Sequence, residues 1–161
     1  GYTSHGISVR GELTIQNGNI TAMGLEDQGV SAIYAYSGIT INGGTVAAIA
    51  NNATAGYSRG FECFGNIRIN GGNVVAKAGE VNTNFTTYKS YGIDTSSIFI
   101  TGGMVIASGY DKAIYGNTSG IVKGNNTIMV GNSASDSEEW DGITSLTTYK
   151  YFSFTPSTNN N

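Results

Sequence analysis

Two carboxylates occupy matching places in two similar stretches of this chain: Glu62 in GFECFGNIRINGGNVVA and Asp94 in GIDTSSIFITGGMVIA. If these stretches stack as neighbouring strands, the acids lie about 4.8 Å apart. Like charges at that distance repel by roughly 1 kcal/mol in water and by about 3–4 at a partly buried site. Three arrangements would offset the repulsion: a bound Ca²⁺, a raised pKa on one acid, or a nearby base such as Arg59, Arg68 or Lys112. Glu62 and Asp94 are therefore the candidate metal ligands, with calcium the candidate ion. The spacing also matches the carboxyl pair of a retaining glycosidase, a weak signal because any two acids in one column would show it.

Aromatic residues gather near these acids in sequence. Tyr57, Phe85, Tyr88, Tyr91 and Tyr110 fall in or beside connecting segments that also hold Asn51, Asn52, Asn82 and Asn84. Tyr34 and Tyr115 would share a column with the acids, one on each side. Flat rings flanked by amides suit sugars, whose CH faces stack on rings while their hydroxyls take hydrogen bonds. The candidate ligand-binding set is Tyr34, Tyr57, Arg59, Phe85, Tyr88, Tyr91, Tyr110 and Tyr115. The sole histidine, His5, stands near the chain start and is expected to be exposed. Cys63, the sole cysteine, reads as a small buried hydrophobe. Nucleophilic schemes built on Ser/His or Cys/His gain no support.

The elements that must position these groups follow from an internal repeat. Five passages align, starting at Gly6, Ala32, Gly60, Gly92 and Ala113. Each contains three alternating segments, marked by the apolar columns Ile7, Ile33, Phe61, Ile93, Ile114 (a); Leu13, Ile39, Ile67, Ile98, Ile121 (b); and Ile20, Val46, Val74, Val105, Ile128 (c). The b-to-c offset is 7 throughout, whereas the offsets from c to the next a are 13, 15, 19 and 9. Length variation is thus confined to one corner. At the b–c corner stand Asn17-Gly18, Gly43-Gly44, Gly71-Gly72, Gly102-Gly103 and Asn125-Asn126, residues that accept positive φ at little cost.

Two architectures fit. A hairpin reading pairs b with c around each corner and leaves a without a partner. A coil reading stacks a, b and c on their counterparts in three parallel sheets, and it accounts for the constant offsets. Leucine, present only three times, is too scarce for a leucine-rich repeat. The coil predicts an all-β parallel β-helix of about five coils over residues 5–131. Residues 132–156, rich in aromatics, are expected to cap it or to cover the outward c column, and 157–161 to fray. Lys123 would point inward, so the fifth coil is expected to open there.

The unit I-x-[IV]-x-G-G-x-V-x-A resembles the right-handed parallel β-helices of the pectin-lyase-like superfamily, above all small pectate-binding surface proteins of clostridia and gut bacteria. The resemblance covers roughly residues 5–131. It implies a polysaccharide ligand, possible calcium dependence and a secreted or cell-surface location. A lyase of this superfamily needs several acids around calcium and a poised base. Here Glu62 and Asp94 gain no third carboxylate from the b face (Thr14, Thr40, Arg68, Phe99, Val122).

Composition narrows the classes further. A net charge of −3 lacks the basic face that nucleic acid demands. No apolar run approaches the ~20 residues of a membrane helix, so membrane insertion is not expected. The chain opens on Gly1 and not on Met, as a trimmed sequence would, and any export signal is expected to lie outside it. The outward c column of Thr21, Ala47, Val75, Ile106 and Met129 is apolar for a wetted face. Val75, Ile106 and Met129 are the candidate contacts for a dimer or a neighbouring domain. The function expected is a non-catalytic, carbohydrate-binding or adhesive module. The alternatives are a polysaccharide lyase or hydrolase, and a protein-binding or spacer domain.

Overall fold

A computed structural model describes residues 2–82 and 87–158. The chain winds as a parallel β-solenoid. Coil one holds β1 (Thr3–Val9), β2 (Glu12–Ile15) and β3 (Asn19–Gly24); coil two holds β4 (Gly29–Ala35), β5 (Gly38–Ile41) and β6 (Thr45–Ala50). In coil three the a and b segments fuse into β7 (Ser58–Ile69), followed by β8 (Asn73–Ala78). Coil four repeats this with β9 (Ser90–Ile100) and β10 (Met104–Ser108), and coil five with β11 (Lys112–Ile121) and β12 (Thr127–Gly131). The tail adds β13 (Ser137–Glu139) and β14 (Tyr151–Thr155).

The three expected sheets are two. Segments a and b belong to one sheet that bends between them, and c forms the other. The a–b connection is short enough for a strand to run through it with a register shift between Cys63 and Asn66. Parallel pairing sets Ile33 beside Phe61, Ile39 beside Ile67 and Val46 beside Val74. Ile33, Ile39 and Val46 are fully buried. Removing each from water contributes roughly 1.5–3 kcal/mol, more than the ~0.5–1.5 of one ladder hydrogen bond, so the stacked aliphatic columns dominate. Cys63 lies among them.

The b–c corner has a precise backbone reason. Gly18, Gly44, Gly72 and Gly103 take φ of 104°, 84°, 88° and 79°. A Cβ on Gly44 would also stand 2.3 Å from the Gly18 carbonyl oxygen, so the corner demands glycine twice over. Only the second residue of each pair bears the positive φ. In coil five neither Asn125 nor Asn126 does; the turn uses Gly124 instead, at φ 45°. Beside the corner an amide ladder climbs the coils: Asn42 Nδ2 donates to Gln16 Oε1 at 2.9 Å, Asn70 Nδ2 to Asn42 Oδ1 at 2.8 Å, and Thr101 Oγ1 to Asn70 Oδ1 at 3.0 Å.

Coil five departs from the repeat, leaving about four regular turns where five were expected. Two register shifts in β11 bring Ile121 beside Ile100, not Ile98. Its c strand does not pair with β10. β14 runs between them, antiparallel to both, with Phe154 facing Val105 on one side and Ile128 on the other. The tail therefore leaves the outward c column uncovered and instead supplies a strand whose Phe152 and Phe154 fill the core. Its remainder closes the end of the solenoid, with Trp140 and Leu146 buried and Trp140 Nε1 donating to the Thr144 carbonyl at 2.7 Å. The chain opens after Ile121, where the Lys123 ammonium donates to the Trp140 carbonyl at 2.5 Å and pairs with Glu139 at 3.1 Å. Of the end expected to fray, 159–161 lie outside the described residues.

Candidate functional site

The outer face of the a segments carries the site. Strand alternation buries Phe61 and Ile93 and turns Glu62 and Asp94 outward, and pairing aligns Tyr34, Glu62, Asp94 and Tyr115 in one column. A second outward column holds His5, Ser31, Arg59, Tyr91 and Lys112. A small residue opens the repeat between them: Gly6, Ala32, Gly60, Gly92 or Ala113. A Cβ on Gly60 would lie 2.7 Å from the Lys77 backbone nitrogen, so the a segment must be nearly bare there to pass the c strand.

Arg59 binds both acids. Its Nη1 lies 2.9 Å from Glu62 Oε1, and its Nε pairs with Asp94 on the next rung. The Asp94 contact is ionic without an aligned hydrogen bond, since the Nε hydrogen finds no acceptor in good geometry. Glu62 is 5% exposed, and its second oxygen accepts the Ser31 hydroxyl. Beneath the guanidinium, 4.0 Å away, lies the Tyr57 ring. Burial raises the Asp94 pKa above the ordinary carboxylate range; Arg59 opposes the rise and Glu62 adds to it. Burial likewise raises the Tyr57 hydroxyl, reinforced by Glu62.

Aromatic groups flank this charged centre. Toward the N-terminus His5 lies 5.2 Å from Tyr34, whose ring meets Phe64 edge-on at 6.0 Å, and Tyr36 meets Phe64 edge-on at 5.6 Å. Toward the C-terminus Tyr91 and Tyr115 stack at 4.7 Å, with Lys112 Nζ 5.6 Å above Tyr115. Phe64, Tyr36 and Tyr115 are 60%, 57% and 48% exposed, with one face of Tyr115 already covered by Tyr91. An open cleft of about 530 Å³ lies between the two groups, bordered by Phe64, Asp94, Ser96, Lys112, Tyr115 and Thr147.

The candidate residues separate accordingly. Tyr34, Tyr57, Arg59, Tyr91 and Tyr115 meet around Glu62 and Asp94. Tyr88 shares a smaller hollow with Tyr2 and Tyr57. Tyr110 packs beneath Lys150, 5.0 Å from its Nζ, and borders neither hollow. Phe85 lies outside the described residues. Among the described residues of the variable corner, Ala53 bridges to Asp27 and Val81, and Asn52 Oδ1 accepts the Glu80 amide at 2.9 Å. His5 is half-buried, not exposed, with Nδ1 unpartnered.

Sequence reasoning missed Phe64 and Tyr36, although the alternation that turns Glu62 and Tyr34 outward also turns outward the residues two positions on. Thr147, brought in by the tail, had no such signal. Calcium prefers six to eight oxygens. Among the described residues no three metal-ligating side chains converge, and the two acids already embrace a guanidinium that a cation would have to displace. As placed, this donor set does not fit calcium.

A scan against protein-family models finds no match for this chain, and searches of curated proteins and of solved structures find none.

Proposed function

We propose that this solenoid is a non-catalytic carbohydrate-binding module of a secreted or surface-displayed bacterial protein, gripping polysaccharide on the outer face of its a segments. The observation that carries the reading is the pair of aromatic groups, Tyr36–Phe64 and Tyr91–Tyr115, on either side of a cleft bordered by Asp94, Ser96, Lys112 and Thr147. Such rings offer apolar faces to sugar CH groups, and the cleft between them offers hydroxyl, carboxylate and ammonium partners. The scaffold is rigid, so little ordering entropy is lost on binding. The resemblance of the repeat to the pectin-lyase-like superfamily supports polysaccharide as the ligand class without fixing its charge. Both acids are committed to Arg59 and Glu62 is nearly sealed, which favours binding over a lyase or hydrolase. Immobilised-glycan screening tests this. Wild type should bind at least one polysaccharide without releasing oligosaccharide, and Phe64→Ala and Tyr115→Ala should each lose binding while remaining folded. Retention of binding by both variants would overturn the placement.

A second reading rests on the c sheet. All three methionines, Met23, Met104 and Met129, lie on its outer face beside Val75 and Ile106, and Met23 and Met104 are each 48% exposed. Such a face suits a protein partner or a second copy. Analytical ultracentrifugation of wild type against Ile106→Lys tests it; a monomer in both cases speaks against a dimer.

A further inference from the structure

We propose that the cleft face selects neutral glycans and discriminates against polyuronates, a refinement that rests on the carbohydrate-binding reading above. The argument is an inventory of charge along the path a sugar chain would take. Phe64 sits on the third rung and Tyr115 on the fifth, two rungs or about 10 Å apart. That separation is of the order of one disaccharide, so a chain lying along the solenoid axis can stack on both rings.

A polyuronate in that position carries a carboxylate on every sugar and needs an uncommitted cation for each. The centre of the face has none. Arg59 is tied to Glu62 and Asp94, and its side chain is only 18% exposed. Lys112 borders the cleft at one end and Arg10 stands beside Tyr34 and Tyr36 at the other, four rungs or about 19 Å away. Between them Asp94 faces the cleft and would repel an acidic chain. The net charge of −3 adds a long-range penalty.

A neutral sugar meets the opposite situation. Asp94 accepts from hydroxyls, Lys112 donates to them, and Ser96 and Thr147 do either. Each of these groups can be satisfied by a sugar hydroxyl.

Affinity electrophoresis of the whole chain through gels holding neutral polysaccharides (mixed-linkage β-glucan, xylan, galactomannan) or acidic ones (polygalacturonate, alginate), each at low and high salt, tests this. The expected result is retardation by a neutral polymer that changes less than about twofold with salt and falls at least about tenfold in Tyr115→Ala. Retardation by polyuronates alone, abolished by salt or by Lys112→Met, would overturn the charge argument and leave carbohydrate binding standing. Retardation by no polymer of either kind would sink carbohydrate binding itself, and this refinement with it.

Discussion

Arg59 spans two rungs of the solenoid: it holds Glu62 on its own strand at 2.9 Å and reaches across to Asp94 on the next. One guanidinium thus cancels the repulsion that stacking two acids in a column creates. Strict alternation would turn a residue three positions before Glu62 to the opposite face, so the contact shows that the strand departs from regular alternation between them.

Replacing that guanidinium with an apolar chain leaves a buried carboxylate and its neighbour uncompensated. Arg59→Met should lose about 3 kcal/mol or more in urea unfolding at neutral pH. Glu62→Gln in the same chain should restore part of the loss, and a double-mutant cycle measures how much.

The raised pKa of Asp94 has a definite sign for stability. Between its unfolded value, about 4, and its higher folded value the native state binds more protons than the unfolded one. The Asp94 contribution is therefore fully present below pH 4 and is lost as pH rises through the folded pKa. Asp94→Asn should gain on wild type over that interval, which thermal melts across a pH series will show.

Asp141 behaves in the opposite sense. Its carboxylate accepts from the Ile143 and Thr144 amides and the Thr144 hydroxyl, which lower its pKa to about 2. Whatever it contributes is present above the unfolded carboxylate range and lost as pH falls toward 2. Side-chain carboxyl NMR should find it among the last acids to protonate.

The amide ladder predicts an asymmetry between two conservative changes. Asn42 donates to Gln16 and accepts from Asn70, so Asn42→Asp removes the donation and adds a charge beside Gln16 Oε1. It should cost about 1–2 kcal/mol in chemical denaturation, whereas Asn42→Gln should cost less if the longer amide spans the same gap.

Phe152 and Phe154 are the anchors of β14 and are essentially sealed from solvent. Phe154→Ala should destabilise by about 3–5 kcal/mol, a core-sized effect from a residue outside the repeat. A loss below 1 kcal/mol would mean that the inserted strand is dispensable.

Much of this was legible beforehand because a solenoid writes its geometry into periodic sequence. Ile39 over Ile67 and Glu62 over Asp94 follow from a fixed offset and a period of two. The placement of β14 was not legible. The segment YFSFT alternates like any half-buried strand, and nothing local says whether it covers a face, caps an end or enters between two strands. Coil five misled for a related reason: Ile121 counted from the corner matches Ile98, but shifts near Asn117 slide it to Ile100. At the site, the acids and several tyrosines were found through the column. Phe64 stands apart from the variable corner where aromatics and amides concentrate in the sequence, and residues of that corner are partly spent on stacking the corner itself.

Insertion of β14 between β10 and β12 has a consequence for the order in which the molecule assembles. A parallel solenoid is expected to grow by laying each new turn on the one before it. Here β12 emerges first and has only its short hairpin partner β13 beside it until the later segment Tyr151–Thr155 joins it to β10. The final turn cannot zip up passively behind its predecessors. It closes by a return of the chain onto itself, so that β12 takes its place in the sheet only together with β14.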